Sequence, residues 1–135
     1  MPQNITQGYK ALMAKAEAEV ASVTATEARE LAKGDDVVIV DIRDVRELER
    51  DGRIPGSFHA PRGMLEFWVD PESPYHKPIF AEDKMFIIHC ASGWRSLLAS
   101  ATLQSMGLTP VRNLKGGFAA WKEAGGPVEA LPARK

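Results

Sequence analysis

The stretch Met85-Phe86-Ile87-Ile88-His89-Cys90-Ala91-Ser92-Gly93-Trp94-Arg95-Ser96 changes character twice within a few residues. Met85 to Cys90 is a short apolar run of the kind that suits a strand covered on both faces of a parallel sheet. Ala91, Ser92 and Gly93 are small and turn-forming. A helical pattern then begins near Trp94 and runs to Met106, with Gly107 placed as its stop. The reading is strand, tight turn, helix. Working outward, Val37-Val38-Ile39-Val40-Asp41 is a second buried-strand run, and Pro110 to Leu114 a weaker third. Helical patterns over Val45 to Arg50 and Phe118 to Ala124 follow the second and third strands. Strands alternating with helices predict an α/β fold with right-handed crossovers.

Upstream, Tyr9, Leu12, Met13 and Ala16 recur at helical spacing, which predicts an amphipathic helix over Ile5 to Val20. Helices draw most of their stability from packing, so this one is expected to lie on its own domain. Ala21 to Val23 reads as a short edge strand. Thr24 with Glu27 makes a capping-box pair that opens a further helix, closed by Gly34. Pro61 to Asp83 is the least regular part: Arg62 to Val69 reads as a short helix, and Pro71, Pro74 and Pro78 mark a loop. That segment could overhang a pocket with Phe67 and Trp68 or pad the surface. The end of the chain beyond Gly125 is expected to be poorly ordered.

At 135 residues, one domain is the default. With 44% hydrophobic and 26% charged residues, the composition is that of a globular protein, not a collagen-like, disordered or disulfide-framework chain. A formal charge of −1 gives no basic surplus for nucleic acid or an anionic membrane. No stretch approaches the roughly 20 apolar residues of a spanning helix. Met1 to Lys10 lacks the pattern of a secretory signal, so a cytoplasmic, reducing location is expected. The single cysteine, Cys90, can neither close an internal disulfide nor supply a multi-thiolate metal site.

Two fates compete for Cys90. A cysteine ending a core strand is often only a small buried hydrophobe. Here, however, the small turn lets backbone N–H groups of Ala91, Ser92 and Gly93 and the following helix N-terminus gather around one point, and sulfur placed there is favoured as thiolate. Arg95 adds a fixed charge that could hold an oxyanion through its fork of donors, or pair structurally with a carboxylate such as Asp41. His89 is read as a strand residue, because alternation points it away from the side of Cys90.

The chain resembles the single-domain rhodanese family of sulfurtransferases. Val38-Ile39-Val40-Asp41-Ile42-Arg43, followed by Glu47, resembles that family's strand ending in Asp-x-Arg. Gly52-Arg53-Ile54-Pro55-Gly56-Ser57 resembles its Gly-His-Ile-Pro-Gly-Ala element, with Arg53 and Ser57 as departures. Cys90-Ala91-Ser92-Gly93-Trp94-Arg95-Ser96 matches its Cys-x-x-Gly-x-Arg loop, and Asn113-Leu114-Lys115-Gly116-Gly117-Phe118-Ala119-Ala120-Trp121 its terminal Gly-Gly element. The resemblance spans about residues 22–128, leaving residues 1–21 as a helical extension and 129–135 as a tail.

The resemblance implies a mostly parallel sheet of about five strands with helices on both faces. It implies Cys90 as the catalytic nucleophile, with Ala91, Ser92, Gly93, Trp94, Arg95 and Ser96 around the substrate. Asp41 and Arg43 are expected to support the site, directly or as an ion pair; Gly116 and Gly117 serve a turn, and Trp121 the core. Sulfane sulfur would pass from thiosulfate or a similar donor to cyanide or an external thiol through a Cys90 persulfide, with no cofactor and no metal. The thiol could belong to a protein acceptor. Alternatives are a partner-dependent persulfide carrier, a non-catalytic binding module, or a cysteine-dependent phosphatase. The phosphatases place five residues between cysteine and arginine; here only four, Ala91 to Trp94, intervene. No nucleic-acid or membrane partner is expected.

Overall fold

Ala21–Val23 (β1), Val37–Asp41 (β2), Phe58–His59 (β3), Met85–His89 (β4) and Val111–Leu114 (β5) form one all-parallel sheet in the order β1-β5-β4-β2-β3. Among the described residues, six α-helices surround it: Tyr9–Glu19 (α1), Ala25–Leu31 (α2), Val45–Asp51 (α3), Leu65–Val69 (α4), Trp94–Met106 (α5) and Gly117–Glu123 (α6). The structure, a computed structural model, describes residues 2–132. The end of the tail, residues 133–135, lies outside them. No helix among the described residues is long and apolar enough to cross a membrane.

The apolar runs are covered on both faces, as expected. Val38, Val40, Phe86 and Ile88 pack with Ala99 and Leu103 of α5. Ile39 and Ile87 point the other way, onto Ala28 of α2 and Phe118 and Trp121 of α6. Strand β2 pairs with β4 from Val37 opposite Met85 to Asp41 opposite His89, so both strands end at one level. The chemistry of the chain collects at this carboxyl edge, as is general for open α/β sheets.

Several boundaries shift. Helix α1 starts at Tyr9, not Ile5, because Gly8 stands at its N-cap with no side-chain cap and Ile5 is left exposed. Its Ala16 and Val20 bury against Leu97 of α5, so it packs on its own domain. The Thr24–Glu27 capping box is present, but α2 ends at Leu31, short of Gly34. Strand β3 was not read from the residues: at two residues it is too short to show alternation, and it exists only through its pairing with Val40 and Asp41. The segment 61–83 contributes to the core. Leu65, Val69 and Phe80 are buried, and Trp68 packs edge-on against Phe58, while Phe67 is exposed. Arg53, where the resembled element has histidine, joins Glu129 in a two-way backbone pairing and an ion pair at 2.8 Å.

Asp41 and Arg43 form an ion pair that is almost wholly buried. The Arg43 guanidinium donates to both Asp41 carboxylate oxygens at 2.8 to 3.2 Å and to the Gly52 carbonyl at 2.9 Å, and it lies over the Phe118 ring at 4.2 Å. The Arg43 backbone N–H donates to Asp41 at 3.0 Å. Burial pushes the Asp41 carboxyl up, but the Arg43 hydrogen bonds and the neighbouring His89 together hold it below its ordinary value. His89, fully buried and 3.5 Å from Asp41, is held below the usual imidazole range chiefly by burial, against the pull of Asp41.

Removing one partner of such a pair leaves an uncompensated buried charge. Arg43→Met should therefore lower unfolding stability by about 3–5 kcal/mol, and adding Asp41→Asn should recover part of it. Urea denaturation checks both; an unchanged midpoint in Arg43→Met would show that the pair contributes nothing. The signs for pH also follow. The unfolded chain binds a proton at His89 near pH ~6.5 while the folded chain resists it, so stability falls as pH drops below that value. His89→Gln should flatten the stability profile between about pH 5 and 7, leaving the Asp41 loss below about pH 4 in place.

Candidate active site

Strand β4 delivers Cys90 to the carboxyl edge of the sheet, on the face that α5 covers. The chain must then reverse and enter α5 within a few residues. Gly93 makes this possible. It sits at φ +97°, a left-handed conformation that costs glycine least, and a Cβ there would come within 3.1 Å of the Gly116 nitrogen. A second glycine, Gly117 at φ +60°, lets α6 press its N-terminal turn against the back of the loop. There the Phe118 N–H donates to the Cys90 carbonyl at 2.8 Å and the Ala119 N–H to the Ala91 carbonyl at 3.1 Å. With its carbonyls committed to α6, the loop turns N–H groups toward the sulfur.

The backbone N–H of Gly93 donates to Cys90 Sγ at 3.2 Å and that of Ser96 at 3.4 Å. The thiol donates to Ser96 Oγ at 3.5 Å, and the Ser96 hydroxyl donates to Asn113 Oδ1 on β5 at 2.6 Å. Cys90 and Ser96 are fully buried. Burial is the largest single influence on the thiol and pushes it up. The Ser96 hydroxyl and the N–H groups of Ser96, Gly93 and Ser92 outweigh it, so Cys90 ionises below its ordinary value. This is an oxyanion-hole arrangement aimed at sulfur: fixed neutral dipoles at a helix N-terminus, placed where negative charge would sit.

Arg95 projects from the first turn of α5 and is half exposed. Its guanidinium grips Glu47 of α3 through two parallel bonds, at 2.8 and 3.0 Å. Its carboxylate partner is therefore Glu47 and not Asp41, which is already taken by Arg43 on the far face of the sheet. Glu47 is held in turn by its place in the Asp44 capping box of α3. The Glu47 carboxylate chiefly, and the nearby Cys90 sulfur to a smaller extent, favour the protonated form of the guanidinium. Trp94 is exposed and stacks on Tyr9 of α1, ring centres 5.6 Å apart. A cavity of about 410 Å³ opens between α1 and the loop, lined by Met13, Glu17, Ser92, Trp94, Asn113 and Lys115 among others.

The structure thus gathers Cys90, Ala91, Ser92, Gly93, Trp94, Arg95 and Ser96 around one loop, while Asp41 and Arg43 are spent on each other and on Phe118. His89 lies on the opposite face of β4 from the sulfur, with Nδ1 3.3 Å from the Cys90 carbonyl oxygen, and stacks on Phe118. Asn113 was missed as a site residue. Its signal was a polar amide one residue before Leu114 at the end of a strand, where a buried amide asks for a partner. No group of three His, Cys, Asp or Glu residues among those described could hold a metal ion.

The sequence model of the rhodanese-like domain family matches residues 24–124, so the chain belongs to that family. It is 35% identical over 100 residues to a sulfurtransferase of Allochromatium vinosum, covering 74% of this chain and 85% of that one. It is 30% identical over 107 residues to the thiosulfate sulfurtransferase GlpE of Glaesserella parasuis, covering 79% and 91%. A solved structure from Rhodopseudomonas palustris, described as a protein of unknown function and possible tyrosine phosphatase, superposes with a TM-score of 0.92 at 59% identity, over 96% of this chain and 99% of that one.

Gly93→Ala should displace the Gly93 N–H from Sγ, because alanine is strained at that φ and its methyl group meets Gly116. The expected result is a higher apparent pKa for Cys90 and slower alkylation by iodoacetamide at neutral pH, by about threefold or more. A titration superimposable on that of the parent protein would exclude the N–H as a determinant of the thiolate.

Proposed function

We propose that the chain is a rhodanese-type sulfurtransferase that carries sulfane sulfur on Cys90. The observation that carries this reading is the cradle itself: two backbone N–H groups and a hydroxyl surround one sulfur atom, and no side-chain base is needed to ionise it. The names of the Allochromatium and Glaesserella relatives support the same activity.

In the proposed reaction the Cys90 thiolate attacks the outer sulfur of thiosulfate or a similar donor. The donor's S–S bond breaks and sulfite leaves with the bonding pair. Cys90 becomes a persulfide whose terminal sulfur bears the negative charge. Cyanide or a thiolate then attacks that terminal sulfur, leaving as thiocyanate or a new persulfide, and the Cys90 thiolate is regenerated. The N–H groups that hold the thiolate stabilise the charge at both ends of the cycle. Arg95 supplies a fork of donors to an anionic donor's oxygens, in competition with Glu47. The chain holds one cysteine, so any acceptor thiol comes from another molecule, whether small or a protein. Such chemistry suits the reducing, cytoplasmic setting expected from the sequence.

The phosphatase description of the Rhodopseudomonas neighbour makes phosphate-ester cleavage the reading to test against. The loop places its N–H donors at 3.2 and 3.4 Å from Sγ itself, with four residues between Cys90 and Arg95. That ring fits one added sulfur better than the three oxygens of a phosphoryl group.

Intact mass after treatment with thiosulfate should rise by one sulfur atom, and cyanide should remove it. Cys90→Ser should show no gain. Turnover of thiosulfate with cyanide should exceed hydrolysis of an aryl phosphate under the same conditions; the reverse order would overturn the assignment. A persulfide that forms yet turns over only with a protein thiol would identify a carrier. Arg95→Ala should lower kcat/KM for thiosulfate by about tenfold or more, the loss expected for one charge-assisted pair of bonds. Because the Arg95–Glu47 pair is partly exposed, thermal stability should change little. A large stability loss with turnover intact would make Arg95 structural.

A further inference from the structure

The Ser96 hydroxyl has a single proton and two claimants for it. In the neutral site it donates to Asn113 Oδ1 at 2.6 Å, and its own oxygen accepts the Cys90 thiol proton at 3.5 Å. Once Cys90 is a thiolate or persulfide, the sulfur has no proton to give and needs a donor. The hydroxyl can add itself to the two N–H donors by turning round, but its oxygen has then lost the thiol as a donor and faces Asn113 Oδ1 with no proton between them, unless Asn113 changes role as well. An amide can do this: rotated about its last bond, it presents an N–H₂ where it presented C=O. All three groups are buried, with Asn113 at 5% exposure and Ser96 and Cys90 at 0%, so water does not readily replace a lost partner. Asn113 also lines the cavity between α1 and the loop.

We infer that Asn113 is a positioning residue for Cys90: its amide, accepting from Ser96 in one state and donating to it in the other, sets which way the Ser96 hydroxyl faces the sulfur. The inference rests on Cys90 working as an anion, as in the proposed sulfur transfer, and does not depend on which donor or acceptor it serves. The charged groups around this trio are Arg95 with its partner Glu47 at the loop and Glu17 and Lys115 at the cavity, with His89 next to Cys90 on the opposite face of β4. The substitutions below leave all of them in place.

Asn113→Asp keeps the shape but, when ionised, only accepts; it holds the Ser96 proton away from the sulfur. The ultraviolet absorbance of the thiolate, followed against pH and referenced to Cys90→Ser, reports Cys90 alone because the chain has no other cysteine. Asn113→Asp should raise its midpoint by ~1 pH unit or more. In a Ser96→Ala background the same change should raise it by less than about half as much, since only the direct field of the new carboxylate remains. Equal shifts in the two backgrounds, or none in either, overturn the inference. Should Asn113→Asp lose the circular dichroism of the parent, Asn113→Thr and Asn113→Val decide instead. They match in shape, but threonine can accept and donate and valine can do neither. Threonine should stay near the parent midpoint and valine should rise by about half a unit or more; coincident midpoints overturn the inference. A protein that shows these shifts yet gains no sulfur from thiosulfate would refute the proposed reaction and leave the role of Asn113 standing.

Discussion

One sulfur atom at the end of a buried strand must be surrounded by donors that belong to the chain just after it. That constraint governs the architecture around it. The loop has to leave β4, turn its N–H groups inward and begin α5 without room for an ordinary residue at the reversal, so Gly93 stands at positive φ. The outward carbonyls of Cys90 and Ala91 would otherwise be orphaned in the interior, so α6 arrives with its first N–H groups, those of Phe118 and Ala119, to donate to them. For α6 to come so close, Gly117 must lack a side chain. The parallel register of β2 with β4 then brings Asp41 beside His89 under the same loop, where a buried carboxylate is tolerated only because Arg43 satisfies it.

Two kinds of charge therefore sit on opposite faces of the same sheet edge and serve different ends. On the α6 face, Asp41 and Arg43 close their own account in a fixed pair stacked on Phe118, and neither reaches the sulfur. On the α5 face the sulfur is held by dipoles, and the nearby cation, Arg95, is tied to Glu47 at a partly exposed position. A charge kept near the surface can exchange one carboxylate for another anion at small cost, whereas the Arg43 pair cannot be opened without leaving a bare charge in the interior.

The sequence showed what depends on local pattern. The apolar runs at Val37 to Asp41 and Met85 to Cys90, the small turn and the helix from Trp94 to Met106 are each written in neighbouring residues, and so the sheet, its two covered faces and the loop could be read. What escaped is set by pairing across the fold. Strand β3 is two residues long and is extended only because β2 offers it a ladder. The partner of Arg95 was open because Asp41 and Glu47 both precede it at a distance, and only the third dimension shows Asp41 already bound. Asn113 opens the stretch that matches the terminal Gly-Gly element, but nothing local marks its amide; its meaning appears when α5 is laid beside β5 and the amide meets Ser96. In the segment 61–83 the short helix was legible and the prolines marked the loop after it, but that Leu65, Val69 and Phe80 cover the core shows only in the packing.

Holding the sulfur with neutral dipoles has a chemical consequence. A strongly cationic cradle would drive Cys90 far down in pKa, and a thiolate so stabilised is a weaker nucleophile, because nucleophilicity falls as basicity falls. Sulfur transfer asks the same atom to attack a donor and then to leave from its own persulfide, and the second demand favours a lower pKa while the first favours a higher one. Burial raises the Cys90 thiol and the hydroxyl and the N–H groups lower it, so the site sits between two opposed pulls whose net direction is downward. In the proposed cycle that balance favours the thiolate without removing its reactivity, and the Ser96–Asn113 pair is the adjustable part of it: the backbone donors are fixed by the fold, and only the hydroxyl can change direction as the charge on sulfur comes and goes.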